Sequence, residues 1–308
     1  MSADFAAVDW GTSSFRLWLM QADGAVLAQS RGPEGMQHCH GVGFAPVLAS
    51  HLAKAGAPAG LPVLICGMAG ARQGWAEVAY ADLPALVADI AANALKLPGA
   101  LLQGLGEERD VRILPGLAQN DPARPDVMRG EETQLLGLAQ MGHQGLACIP
   151  GTHSKWAMLE DGAVTSMRSA MTGELFDILS KQSILRHGMP LQGRVSADDA
   201  AFLNAVDEML ADPAAALTSL FPLRAAGLLG FATPEAVQAR LSGLLIGAEI
   251  GKMLAGHECG PIMLIGQEGL GALYRAALLR AGVSLRYADA EEASRQGLLA
   301  AARKIWSF

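Results

Sequence analysis

Four short segments bring together the residue types that handling a phosphate chain requires. The first is Asp9-Trp10-Gly11-Thr12-Ser13-Ser14. Small residues let backbone N–H groups approach phosphate oxygens closely, and the hydroxyls of Thr12, Ser13 and Ser14 add donors. A carboxylate at Asp9 beside phosphates calls for a divalent cation between them, and Mg²⁺ binds through one or two carboxylates plus phosphate oxygens. The competing reading is an ordinary polar hairpin. The second segment, Pro150-Gly151-Thr152-His153-Ser154-Lys155-Trp156, supplies a glycine, two hydroxyls and a cation in one turn. It reads as a second clamp on a polyphosphate. His153 reads better as a satisfied structural histidine, and Lys155 as a phosphate or carboxylate contact.

The third segment, Gly266-Gln267-Glu268-Gly269-Leu270-Gly271, falls between a strand and a helix. Its glycines would let a base or ribose pack on the backbone, although a plain strand-to-helix turn explains them as well. Its GxxGxG spacing departs from the GxGxxG dinucleotide fingerprint. The fourth, Arg129-Gly130-Glu131-Glu132-Thr133-Gln134, opens a helix with paired carboxylates. Acidic residues are favourable at a helix N-terminus. A carboxylate here can equally serve as the base that takes a proton from an attacking hydroxyl, or as a ligand to a metal-bound water.

Alternating elements must position these segments. Ala3–Val8 reads as a strand leading into Asp9, and Phe15–Met20 as a second strand after the polar turn. Asp23-Gly24 turns the chain into a third strand. Helices are expected at Val47–Lys54, Leu83–Leu95 and Glu131–Met141, and short strands at Pro62–Cys66 and Val111–Leu114. A Pro- and Asp-rich loop, 120–125, precedes the carboxylate pair. The opening pattern then returns: strand Gly145–Ile149, a polar turn, strand Trp156–Leu159, an Asp161-Gly162 hairpin and strand Val164–Met167. This is a weak internal repeat offset by about 140 residues. The remainder is mostly helical, over Ala200–Leu210, Ala214–Leu220 and Thr233–Leu254. Strand Pro261–Ile265, helix Leu270–Ala281, strand Ser284–Tyr287 and helix Ala290–Lys304 close the chain.

Composition narrows the class. The chain has 308 residues, 51% hydrophobic and 17% charged, the makeup of a compact α/β protein with a sizeable core. The net charge of −7, with basic residues scattered, argues against a nucleic-acid partner. No apolar run is long enough to span a bilayer and the N-terminus has no secretory pattern, so a cytoplasmic protein is expected. Cys39, Cys66, Cys148 and Cys259 lie far apart and read as reduced thiols.

The early DxGT turn, the second Gly-Thr turn and the late strand–glycine–helix segment resemble the phosphate-1, phosphate-2 and adenosine motifs of the sugar kinase, heat-shock chaperone and actin superfamily. Within it, the strings DWGTSSFRLWL, CGMAG, MRGEETQLLG, PGTHSKW and LSGLLIGAEI resemble the 2-dehydro-3-deoxygalactonokinase family over the whole chain. The resemblance implies an α/β fold of two ribonuclease-H-like (actin-like ATPase) domains with an interdomain cleft. The expected division is 1–137, a sugar-acid and phosphate-1 domain, and 138–308, a nucleotide-binding domain whose last helix can pack back on the first. It implies transfer of the γ-phosphoryl group of ATP to the 6-hydroxyl of 2-dehydro-3-deoxy-D-galactonate, with Mg²⁺.

On this reading Asp9 stands on the metal side, and Glu132 or Glu131 acts as base. Gly11, Thr12, Ser13, Gly151, Thr152, Ser154 and Lys155 hold phosphates, and Gly266 and Gly269 hold the nucleoside. Ser14, Arg16, Met68, Arg72 and Arg129, all in motif segments, are assigned to the sugar acid, whose carboxylate requires a cation. Pro150 stands where most of the superfamily carries an acidic residue, which would leave the metal to Asp9 and water. The expected partners are ATP and a small sugar acid, with a homodimer as an option and no nucleic acid or membrane. Two rival functions on the same fold are an exopolyphosphatase-like phosphohydrolase and a non-catalytic ATP-binding sensor.

Overall fold

The computed structural model describes residues 2–106, 108–190, 192–255, 260–266 and 268–308. The chain begins with an antiparallel meander, β1 (Phe5–Trp10), β2 (Phe15–Met20) and β3 (Val26–Gly32). There follow α1 (Met36–Val42), α2 (Phe44–Lys54), β4 (Val63–Gly67), β5 (Ala81–Asp82), α3 (Val87–Ala92), β6 (Leu95–Lys96), β7 (Val111–Ile113), β8 (Leu117–Gln119), β9 (Asp126–Met128) and α4 (Glu131–Gln140). A second series comprises β10 (Gly145–Ile149), β11 (Ser154–Glu160), β12 (Ala163–Ala170), α5 (Thr172–Lys181), α6 (Ala200–Ala211), α7 (Ala216–Leu228), α8 (Pro234–Leu254), β13 (Ile262–Ile265), α9 (Leu270–Arg280), β14 (Leu285–Ala288) and α10 (Ala290–Trp306).

The two large sheets share one order over five strands, to which the first adds β6 at its edge. The first runs β3-β2-β1-β4-β7-β6 and the second β12-β11-β10-β13-β14. In each, a meander is followed by strands parallel to its first member: β4 pairs parallel to β1 and β7 to β4, as β13 does to β10 and β14 to β13. The repeated strand–turn–strand–hairpin pattern therefore marks two copies of one α/β unit. Both meander hairpins use Asp-Gly, with Gly24 at φ 100° and Asp161 and Gly162 at φ 50° and 81°. Two consecutive positive φ values match the twist of the flanking strands.

By internal contacts the chain forms two compact units. One comprises Met1–Gln144, Met158–Met167 and Ala290–Phe308, the other Gly145–Ala157 and Arg168–Asp289. The first segment of the first unit runs to Gln144, and α4 lies wholly within it.

Each unit has its own core. In the first, Val8, Trp10, Leu17, Val63, Ile65 and Ile113 pack with Phe44 and Leu48 of α2. Trp10 is ringed by Phe15, Phe44 and Trp75 at centroid distances of 4.7, 5.1 and 6.0 Å. On the other side of the first unit, α10 crosses α4 at paired glycines. A Cβ on Gly137 would lie 2.0 Å from the Ala293 carbonyl, and one on Gly297 2.0 Å from that of Thr133. In the second unit α6 lies against Gly243 and Gly247 of α8, where a Cβ would meet the Phe202 carbonyl at 2.3 Å and the Val206 Cα at 2.9 Å.

Some elements depart from the sequence expectation. The helix expected over Leu83–Leu95 is confined to Val87–Ala92. Ala85 exchanges backbone hydrogen bonds with Val164, which holds the preceding residues extended, and Asp89 caps the Leu86 amide at 2.8 Å. Leu95–Lys96 joins the sheet edge beside β7. Helix α7 runs on through Pro222 to Leu228, well beyond the expected Leu220. The helices α1 and α5 were not expected, and both back a site loop. Cys39, Cys66 and Cys148 are buried free thiols, and Cys259 lies outside the described residues.

Candidate active site

In the first unit, β1 is buried along its length except at Asp9. The antiparallel register sets Asp9 opposite Arg16, and Arg16 Nη1 reaches Asp9 Oδ2 at 3.2 Å. Glu291 of α10 also approaches Arg16, at 3.4 Å, and accepts from Arg31 at 2.8 Å. Burial raises the Asp9 pKa, Arg16 opposes the shift, and Glu291 adds to it.

The loop after β1 is braced from behind. The Gly11 amide donates to the Ser14 carbonyl at 2.9 Å. The Met36 and Gln37 amides of α1 donate to the Gly11 and Thr12 carbonyls at 3.0 and 3.1 Å. Gly35 makes this approach possible, since a Cβ there would lie 2.4 Å from the Thr12 carbonyl oxygen. Thr12 and Ser13 are exposed, and their amides donate to no other described residue. Two outward N–H groups with adjacent hydroxyls form an anion-binding edge.

Glu132 is 0% exposed at the start of α4. Its carboxyl accepts from the Gly130 amide at 2.5 Å and the Thr133 hydroxyl at 3.1 Å. Burial, then the neighbouring Glu131, pushes its pKa up to about 8, so it carries a proton at neutral pH. Gly130 adopts φ 111°, a conformation that favours glycine, and lies near Gly67, itself at φ 90° and packed on the Trp10 carbonyl. Burial raises the pKa of Cys66, Asp9 and Glu132 add to the shift, and Cys66 lies opposite Asp9 in the register. The ends of β1, β4 and α4 thus share one region, with Asp9, Cys66 and the carboxylate pair in it. Glu131 is the more exposed of the pair.

Arg129 is the unusual cation of this unit. Its Nη2 donates to the Val78 carbonyl at 2.7 Å, and its guanidinium carbon stands 4.4 Å from the Tyr80 ring centroid. Its Nε and Nη1 are buried and donate to no described residue. The turn Met68–Gly70 abuts it, for a Cβ on Gly70 would sit 2.8 Å from Nη1. Arg72 is elsewhere, 81% exposed and paired with Glu77.

The second unit repeats the loop construction. The Glu174 amide of α5 donates to the Thr152 carbonyl at 3.0 Å. Gly173 permits the approach, since a Cβ there would lie 2.5 Å from the Gly151 carbonyl oxygen. Gly35 and Gly173 are therefore equivalent braces for the two Gly-Thr turns. Gly151 and Thr152 open on a cavity of about 930 Å³, also lined by Glu174 and Asp177 of α5, Arg194, Gln238 and Leu245 of α8, and Glu268, Gly269 and Leu270. The second Gly-Thr turn and the late glycine segment, far apart in sequence, thus meet on one cavity. Gly266 adopts φ 85° just before it, and Gln267 lies outside the described residues.

Ser154 and Lys155 face away from this cavity. Ser154 is 0% exposed, its hydroxyl 2.7 Å from the Tyr274 hydroxyl and 3.2 Å from Glu249. Glu249 also accepts from Trp156 Nε1 at 2.7 Å, from Tyr274 at 2.6 Å and from Thr172. Lys155 is buried and donates to Ser169 at 2.7 Å. His153 pairs with Glu174 at 2.5 Å. The carboxylate of Glu249 ties β11, the start of α5, α8 and α9 together beneath the turn. Sequence reasoning missed it, although a lone acid in the apolar string LSGLLIGAEI is a signal, because a carboxylate on a buried helix face must find donors.

Two α/β units of similar strand order, each with a helix-braced Gly-Thr turn, and one opening on a cavity of ligand size, are an arrangement that suits a nucleotide-dependent phosphotransferase. The model of the 2-keto-3-deoxy-galactonokinase family matches residues 9–301. A curated relative from Rhizobium meliloti (strain 1021), named a probable 2-dehydro-3-deoxygalactonokinase, is 50% identical over 98% of this chain and 97% of its own. The 2-dehydro-3-deoxygalactonokinase of Escherichia coli (strain K12) is 34% identical over 99% of both. A crystal structure of a Sinorhizobium meliloti protein designated a 2-dehydro-3-deoxygalactonokinase superposes with a TM-score of 0.92 at 50% identity, covering 99% of this chain and all of that one. The chain belongs to the 2-keto-3-deoxy-galactonokinase family. It is accordingly an enzyme of the sugar-kinase class that draws its phosphoryl group from ATP, which sets aside the phosphohydrolase and the sensor.

Proposed function

We propose that the protein phosphorylates the 6-hydroxyl of 2-dehydro-3-deoxy-D-galactonate, giving the 6-phosphate and ADP. The observation that carries the reading is the cavity of the second unit, where Gly151-Thr152 and Glu268-Gly269 converge. Its volume suits a nucleotide, and the outset of α9 supplies N–H groups beside Gly269. Family membership supports the choice of acceptor.

The first unit handles the acceptor and the transferred group. The amides and hydroxyls of Thr12 and Ser13 hold phosphate oxygens. Asp9 would fit one carboxylate ligand of a Mg²⁺ ion, because burial still raises its pKa against the opposing Arg16 at 3.2 Å, which leaves its charge only partly compensated. When bound, that ion neutralises charge on the phosphates. Glu131 takes the proton as the sugar oxygen attacks the γ-phosphorus and the bond to the β-phosphate oxygen breaks. Glu132, buried and protonated, positions α4 for this. Arg129 pairs with the substrate carboxylate through the N–H groups on Nε and Nη1 that the protein leaves unused, which point to opposite edges of the guanidinium, so each offers one-point contact beside the positive charge.

An ADP-release assay across 2-keto-3-deoxy sugar acids and plain hexoses tests the acceptor. Turnover with the galactonate derivative and none with hexoses is expected. Efficient phosphorylation of hexoses would overturn the assignment, and ADP release that no sugar acid accelerates would restore a hydrolytic reading.

A further inference from the structure

The stripe of α8 that lines the cavity continues beyond it. Gln238, Ser242 and Leu245 face the cavity at steps of four and three residues, and a further step of four reaches Glu249 on the same helix face. Glu249 is 7% exposed and is not among the described residues that line the cavity. A carboxylate buried there needs donors. Trp156 Nε1 donates to its Oε1 at 2.7 Å. The hydroxyls of Tyr274, at 2.6 Å, Ser154, at 3.2 Å, and Thr172 donate to its Oε2. Burial, then Glu249, raises the Tyr274 pKa, so that hydroxyl keeps the proton it donates.

The place of these partners in the chain gives the cluster its meaning. Ser154 stands two residues after Thr152 of the second Gly-Thr turn. Thr172 itself lines the cavity and precedes Gly173, the brace of that turn. Tyr274 lies one helical turn after Leu270 and directly after Leu273, both of which line the cavity. Three walls from separate elements, the turn, its brace and the start of α9, are thus fixed from behind to one carboxylate. A ligand site holds its geometry only where the residues that line it are themselves held by others.

We propose that Glu249 is a positioning residue of the nucleotide site: it touches no ligand, and it sets the mutual placement of Gly151-Thr152, α5 and the outset of α9 on which ATP affinity depends. This rests on the reading of the cavity as the ATP site. A glutamine cannot replace it, because all four partners are donors. Its amide satisfies Trp156 only by turning its NH₂ on the hydroxyls, whose own protons then lose their acceptor.

Calorimetry with ATP and steady-state kinetics on the full chain test this. Glu249→Gln should raise the dissociation constant for ATP by about 10–100-fold, as misplaced groups do, with KM for the sugar acid unchanged within about twofold. Tyr274→Phe keeps the ring and removes one donor, and should weaken ATP binding in the same way by about 3–10-fold. Ile262→Ala opens the core of the second unit at the first residue of β13, away from this cluster. It should lower the melting temperature and leave ATP affinity within about twofold of wild type. A folded Glu249→Gln that binds ATP as wild type does, or that loses ATP and sugar acid equally, overturns the proposal. So does Ile262→Ala that weakens ATP binding as much as Glu249→Gln. Where Glu249→Gln does not fold, Tyr274→Phe decides, and wild-type ATP affinity in that variant overturns the proposal. Wild type that binds no ATP overturns the nucleotide reading of the cavity itself, and the role of Glu249 with it.

Discussion

The adjacent glutamates at the start of α4 divide their roles by burial. Glu132 is fully buried and has a pKa of about 8, so it is a poor proton acceptor at neutral pH, whereas Glu131 is partly exposed to solvent. Glu131→Gln should lower kcat by about 10²–10⁴-fold, the usual contribution of a positioned base, and Glu132→Gln by less than about tenfold. The same burial has a signature in stability. The folded pKa of Glu132 lies above its ordinary 4.5, so between 4.5 and about 8 the folded state holds a proton that the unfolded chain has lost. Its contribution to stability is therefore fully present below the lower value and falls as pH rises to the upper one. Glu132→Gln should flatten that part of the stability–pH curve, measured by denaturant titration across the window. At Arg129 the guanidinium already stands against Tyr80 with two donors unspent. Arg129→Lys keeps the charge and loses the planar guanidinium stacked on Tyr80 with its unspent N–H groups, and should raise KM for the sugar acid by about 10–100-fold with KM for ATP little changed.

Between residue and fold stands the braced turn. Each Gly-Thr loop is held by the first amides of a short helix, and each approach depends on a glycine, Gly35 or Gly173, seated against loop backbone. A methyl group there meets main chain, which cannot step aside as a flexible side chain does, and such overpacking costs about 1–3 kcal/mol. Gly173→Ala should weaken ATP binding, read by calorimetry, and Gly35→Ala should lower turnover while ATP still binds. Equal effects of both on ATP affinity would contradict the separate roles given to the two turns. The α1 and α5 braces were not legible in the sequence. Helix α1 is short, and its glycine and two histidines give no clear apolar period. Residues 172–181 are apolar enough, but they follow a strand with only Met171 between, so periodicity alone does not show where one element ends.

At the scale of the molecule, two units with separate cores share one blueprint, and the nucleotide cavity is lined entirely by the second. A ligand that binds only the folded state stabilises by about 2.7 kcal/mol at a hundredfold excess over its dissociation constant. ATP without sugar should therefore raise the melting temperature. In hydrogen exchange the protection should concentrate at residues 151–152, 173–177 and 268–273, with less gained around Asp9 and Glu131.

The local signals of the sequence were sufficient for the repeated meander, the Gly-Thr turns and the acid pair. Each depends on neighbouring residues alone: alternating apolar positions, Asp-Gly turns at positive φ, and carboxylates at a helix start. Which side chains face the ligand was a tertiary decision. Ser154 and Lys155 lie in a turn that reads as a phosphate clamp, yet the register of β11 directs the first to Glu249 and Tyr274 and the second to Ser169. Glu132 and Glu131 are indistinguishable as letters and are separated only by packing at the ends of β1 and β4. Burial and partnership are sums over residues distant in the chain, and no window along the sequence contains them.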